Sequence, residues 1–344
     1  MNVTSPTRWF IVIGFLLAIT LVVAIELGPA GWMSFEAMFE RTPQGSQETA
    51  GQSNGTEWLK ILWHLRMPRL ALGILVGANL AVAGVLMQAL FGNPLAEPYI
   101  AGVSAGAAFG AVLAISLGMQ QTWGGLHGIS LFALIGGCLT TLLVYRIAWR
   151  RERMALAGLL LTGIAVGGLL QAMTALMILQ TDPHRMRGVL VWMMGSLAYR
   201  DWSYVVMLAP YSVVGLLVAW RAHRVLNALA TGEESAHHLG VGLGKSQFIL
   251  LSCAAALASS AAAAAGIIAF VGLLVPHLVR ITLGANHRLL IPGCMLAGPL
   301  LVIWSDLLAR NLASDREIPI GIVTGVLGCI LFLDLVRQRT GRIY

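Results

Sequence analysis

Ten runs of mostly apolar residues divide this chain, near 9–27, 70–90, 99–118, 129–148, 155–179, 203–220, 247–265, 267–281, 289–309 and 318–336. A helix needs roughly 20 such residues to cross the hydrocarbon of a bilayer. Within that hydrocarbon every backbone N–H and C=O must find its partner inside the protein, which favours helices. The pattern predicts an all-α polytopic membrane protein with about ten transmembrane helices. Charge agrees: only 11% of the 344 residues are charged and 58% are hydrophobic, where an ordinary soluble domain is about 25% charged. One transmembrane domain is expected over 1–344, without a soluble domain. The stretch Trp9–Ile25 is long for a signal segment and no clear small-x-small cleavage site follows it, so it reads as an uncleaved first helix.

The formal charge of +7 could suggest nucleic acid, but the arginines flank apolar runs and fit the rule that basic residues gather on the cytoplasmic side. With an even number of crossings, thirteen of the 22 basic residues fall on one side, including the cluster Arg146, Arg150, Arg151 and Arg153 and the tail Arg337, Arg339 and Arg342. That side is expected to be the cytoplasm, with both termini there. The polar stretch 33–57 then reads as an external loop, and 221–246 as the longest cytoplasmic one. Glycines recur at spacing four in Gly73/Gly77, Gly102/Gly106/Gly110, Gly163/Gly167 and Gly321/Gly325. That spacing lines one helix face and lets helices approach closely, within one subunit or between two. The run 267–281 is about 22 Å long as a helix, short of the roughly 30 Å hydrocarbon core, and Pro276 interrupts it.

The motifs argue against chemistry within the chain. Gly240-Val-Gly-Leu-Gly244-Lys245-Ser246 resembles a phosphate-binding loop, but that pattern needs a glycine where Leu239 stands, and no strand is expected before it. Four isolated cysteines, Cys138, Cys253, Cys294 and Cys329, lack a CxxC spacing and read as packing thiols. The eight histidines lack i, i+4 pairing, so neither a metal site nor a cofactor is expected. His277, beside Pro276, reads as packed. Carboxylates such as Glu26, Asp306 and Asp334 lie near helix ends, which disfavours an ion-coupled secondary transporter, since that mechanism needs ionisable groups deep in the membrane.

Three places remain open between structural and functional readings. Arg66-Met-Pro-Arg69 stands at the expected external start of the second helix. Its arginines suit bidentate carboxylate binding or simple snorkelling at the interface. Arg310 is at another external helix end, with Asp306 four residues before it. Asn93-Pro-Leu95-Ala-Glu97-Pro98 reads as a stiff helix-breaking turn on the inside. Gly232-Glu233-Glu234-Ser-Ala236-His-His-Leu239-Gly240 reads as a short helix ended by glycine.

The run LRMPRLALGILVGANLAVAGVLMQALFGNPLAEPYIAGVSAGAAFGA (65–111) resembles the iron-chelate and vitamin B12 uptake permease family of ABC importers. So do WMMGSL (192–197), GEESAHHLGV (232–241), GIIAFVGLLVPHLVRITLGANHRLLIPG (266–293), SDLLAR (305–310) and REIPIGIVTGVLG (316–328). The resemblance implies a ten-helix permease in an inner membrane that works as a homodimer, with two separate ATPase subunits inside and a soluble or lipid-anchored substrate-binding protein outside. It implies that Arg66, Arg69 and Arg310 receive carboxylates of the binding protein and that Asn93 and Leu95 belong to a cytoplasmic gate. It further implies that Gly232, Glu233, Glu234, Ala236, Leu239 and Gly240 form the ATPase-coupling segment. A second family gate, near 152–158, is not carried over, because Met154, Ala155, Leu156 and Ala157 depart from the small polar residues expected there. Ferric siderophore is the first expectation for cargo, with haem and cobalamin as alternatives.

Overall fold

The computed structural model describes residues 5–28, 31–32, 59–119, 122–123, 126–150, 153–154, 156–312 and 317–340. The described chain is helical apart from three antiparallel pairings of two residues each, Leu27–Gly28 with Gly31–Trp32, Thr122–Trp123 with Leu126–His127, and Trp149–Arg150 with Arg153–Met154. The helices run in the order α1 (Pro6–Glu26), α2 (Met67–Leu90), α3 (Val103–Ser116), α4 (Gly128–Ala148), α5 (Leu156–Gln180), α6 (Pro183–Met193) and α7 (Trp202–Arg221). They continue with α8 (His223–Leu229), α9 (Glu233–His238), α10 (Leu243–Ala265), α11 (Val271–Leu283), α12 (His287–Asn311) and α13 (Ile320–Thr340).

Each of the ten expected apolar runs falls on one of these helices. Seven of the described helical segments are long and apolar enough to cross a membrane, and three apolar helices, at 103–116, 271–283 and 320–333, are shorter. The shortening has local causes. Pro98–Ala101 forms a 3-10 turn and Gly102, at φ +80°, breaks the chain direction before α3. Phe270 enters α11 in the left-handed region at φ +67°. Pro276, expected to interrupt the run, lies inside an unbroken α11.

The start of the second helix differs from expectation. The helical segment begins at Leu59, and Leu62–Arg66 forms a π turn immediately before Pro68. Proline has no N–H to give the preceding turn and its ring crowds the carbonyl there. A wider turn relieves that conflict without ending the helix. Arg66 and Arg69 therefore project from within a continuous helix.

Helix α2 is the centre of the bundle, packed against α7, α10, α11 and α12. Nearly every residue from Val76 to Leu90 is buried, whatever its direction. Small residues make this possible: Gly77 lies against the backbone of Gly298 in α12, and Gly84 against that of Gly272 in α11. A Cβ at either position would strike backbone, so these contacts need glycine. Two buried polar side chains on α2 reach across to neighbouring helices. Asn79 Nδ2 donates to Ser212 Oγ at 2.9 Å. Arg280 Nη2 donates to Gln88 Oε1 at 3.0 Å, and Gln88 Nε2 reaches Gly272 O at 3.3 Å. A second layer, α3, α4 and α5, packs alongside.

The outward faces remain apolar. Leu161, Ile164, Leu169, Leu176 and Leu179 of α5, with Val326 and Ile330 of α13, are exposed. Contiguous apolar surface of this kind calls for lipid or another protein rather than water.

Candidate functional site

At the end of the bundle where α1 finishes, the structure brings together the three arginines singled out in the sequence. Arg66 Nη1 donates to Ile25 O and, at 3.2 Å, to Glu26 O. Arg310 Nη2 donates to Ala24 O at 3.1 Å. The last carbonyls of a helix lack intrahelical partners and carry partial negative charge, so a guanidinium there is stabilised. Two arginines from distant parts of the chain thus hold the C-terminus of α1.

Arg69 faces carboxylates instead. Its Nε lies 2.9 Å and its Nη2 2.8 Å from Asp306 oxygens. Its Nη1 lies 3.0 Å and its Nη2 3.1 Å from the two oxygens of Glu317. Asp306 was read in sequence as the i−4 neighbour of Arg310, but that separation is 3.8 Å, and the close bidentate partner is Arg69. Glu317 had no assigned role. Its signal lay in the Arg316-Glu317-Ile-Pro motif, though nothing in one-dimensional spacing linked it to Arg69, 248 positions away.

Asn93 and Leu95 form an exposed turn after α2. Leu95 N–H donates to Asn93 Oδ1 at 2.9 Å, and Ala96 N–H to Asn93 O at 3.1 Å. The side chain thereby mimics a backbone turn and leaves Leu95 pointing outward. Just beyond it, Glu97 Oε1 accepts the N–H of Phe270 at 2.6 Å. The carboxylate caps α11 from another part of the chain, next to the residue with positive φ.

The expected coupling stretch is two short helices, α8 and α9. In α9, Gly232, Glu233, Glu234, Leu239 and Gly240 are exposed and Ala236 is buried. Gly240, at φ +82°, ends it: its N–H donates to His237 O at 2.9 Å, and Val241 N–H donates to Ala236 O at 3.0 Å. This is the left-handed cap that glycine favours. Two polar clasps tie the stretch to the bundle. Gln247 Nε2 of α10 donates to Glu233 Oε1 at 3.0 Å. Asn227 Oδ1 of α8 accepts the N–H of His287, the first residue of α12, at 2.9 Å, and Asn227 Nδ2 donates to Asn286 Oδ1 at 3.1 Å. Lys245 is exposed in the first turn of α10, and a tight turn at Gly240–Gly242, not a strand, leads into it.

Chemically, the arrangement offers charged and polar groups suited to binding. Among the described residues no group of three or more His, Cys, Asp or Glu could hold a metal ion.

A model of the FecCD transport family matches residues 11–338. The cobalamin import system permease protein of Halobacterium salinarum is 37% identical over 324 residues, covering 94% of this chain and 84% of that one. The hemin transport system permease protein of Yersinia pestis is 36% identical over 343 residues, covering 96% of this chain and 97% of that one. A solved structure described as an inward-facing conformation of a metal-chelate type ABC transporter superposes with a TM-score of 0.83 at 30% identity, covering 97% of this chain and all of its own.

Proposed function

The chain belongs to the FecCD transport family, and on that premise we propose that it is the permease of an ABC importer in which two copies enclose the path of a metal chelate. ATP is hydrolysed by separate subunits that contact α8 and α9. The helices α1, α2, α3, α4, α5, α7, α10, α11, α12 and α13 make ten crossings with both termini in the cytoplasm. The arginine cluster is then external, and carboxylates of a substrate-binding protein land on Arg66, Arg69 and Arg310. ATP binding draws the coupling helices together, and the two copies change which side is open. Asn93 and Leu95 close the inner end of the path.

The observation that carries this reading is the placement of two polar sites at opposite ends of α12. Its first residue is held by Asn227 of the coupling stretch, and its last turns carry Asp306 and Arg310 of the arginine cluster. For cargo, the two relatives above are named for cobalamin and hemin, both metal-centred tetrapyrrole rings. The proposal therefore puts a tetrapyrrole chelate ahead of the ferric siderophore first expected.

The test is reconstitution in liposomes with the cognate ATPase and substrate-binding protein. ATP-dependent uptake of radiolabelled cobalamin, hemin and a ferric siderophore would be compared. Uptake of one of the three, lost without ATP, is expected; uptake driven by an ion gradient alone would overturn the importer reading. The charge reversal Arg66→Glu with Arg69→Glu should abolish uptake and binding-protein affinity, because truncating one partner of a buried charge pair already costs about 2–5 kcal/mol. Unchanged affinity in a properly assembled variant would remove the docking role.

A further inference from the structure

Arg69 is assigned above to receive a partner's carboxylate, yet its guanidinium is already engaged. The group has five N–H donors in a rigid plane. Its Nε–H and one Nη2–H point at Asp306; the other Nη2–H and an Nη1–H point at Glu317. A newcomer that is to be gripped by this fork must take an edge that one of these carboxylates now fills.

The two residents are not equivalent. The Asp306 side chain is 5% exposed and also lies 3.8 Å from Arg310 Nε. The Glu317 side chain is 28% exposed, on the open side of Arg69. Asp306 sits within a long helix, whereas Glu317 precedes α13 in non-helical chain. A like-for-like replacement at the Glu317 edge would leave Arg69 with two carboxylates before and after. No buried guanidinium charge would be stranded, and stranding one is the expensive step in breaking such a pair.

We propose that Glu317 is a resident stand-in for the docking carboxylate: it holds the Nη1/Nη2 edge of Arg69 in the undocked permease and is displaced by an Asp or Glu of the substrate-binding protein. The proposal rests on the docking reading above and adds a consequence to it. Ile318 N–H donates to Ala309 O at 3.1 Å, and Gly321 N–H at the start of α13 donates to Met194 O at 3.1 Å. Those two bonds fix the backbone on the α13 side of Glu317, so the exchange would move the Glu317 side chain beside a tethered helix start.

Glu317→Gln tests this, because it removes the competing charge while keeping the length and an acceptor oxygen. The permease–ATPase complex is immobilised, and its affinity for the cognate substrate-binding protein is measured at one fixed salt concentration. Tightening of about two- to fivefold is expected, the worth of a partly exposed ion pair. Glu317→Asp, which shortens the reach and weakens the resident pair, should tighten binding by less. Structural damage would weaken binding, so a gain separates exchange from a merely structural role. Unchanged or weaker affinity in both variants overturns the exchange, while loss of binding in Arg66→Glu with Arg69→Glu keeps the docking reading standing. If that double reversal binds normally, the docking reading fails and the exchange falls with it.

Discussion

Gly84 and Gly272 meet with their backbones in contact, and this contact sets how closely α2 and α11 can lie. Gly84→Leu must push the helices apart or force the side chain off its preferred rotamers, at a cost of about 3 kcal/mol. We expect the solubilised protein to melt roughly 5–10 °C lower. Gly14→Ala, where the new methyl would meet nothing within 4 Å, should leave melting unchanged, and thermal scans of both variants in one detergent check the pair. The spacing-four glycines in the sequence pointed correctly to close helix approach at Gly77 and Gly106. They did not reveal Gly84, because its partner lies 188 positions on and neither belongs to a repeat. The same limit hid Glu317. Arg66, Arg69 and Arg310 could be chosen from local spacing, whereas the carboxylates that orient Arg69 come from the far end of the chain.

The short helices carry their information in their ends. Gly240 closes α9 in a left-handed conformation with open space where a side chain would project. Gly240→Trp would strain that cap by roughly 1–2 kcal/mol and place an indole on the face proposed to meet the ATPase. We expect weaker association with the ATPase, or assembled complexes that hydrolyse ATP without importing cargo. Assembly, ATPase rate and uptake measured on one preparation decide it, and normal values for all three would reduce α9 to a connector. At this scale ten of the helices were readable as apolar runs and α9 as a charged run closed by glycine, whereas α6 and α8 lay on no expected run. Their exact ends were less so. The run 99–118 yields a helix only from Val103, because Pro98 and Gly102 take the preceding turn. The π turn at Leu62–Arg66 left no periodic trace, since it is a local answer to the crowding at Pro68.

Among the described residues, apolar side chains form the outer faces of the helices and glycines pack the interior. Purified alone, the chain should hydrolyse no ATP. Lys245→Ala should leave nucleotide binding by the full complex unchanged, since Lys245 opens a helix after a tight turn and lacks the strand and first glycine of a phosphate loop. Photolabelling of this subunit by an ATP analogue, lost in that variant, would contradict the assignment. The all-helical, apolar character was accessible from sequence because membrane solvation makes apolar length a record of helices, whereas the expected count of about ten crossings stands beside seven described helices of spanning length and three shorter ones. The pairing of those helices was not accessible, because it depends on shape. One such pairing has a thermodynamic corollary. The first N–H of α12, which has no acceptor within its own helix, is satisfied by Asn227 on α8. Opening either element strips a hydrogen-bond partner from the other, so we expect their amides to exchange with solvent together. Helix α8 and the start of α12 would gain or lose protection together, as a single hinge rather than two.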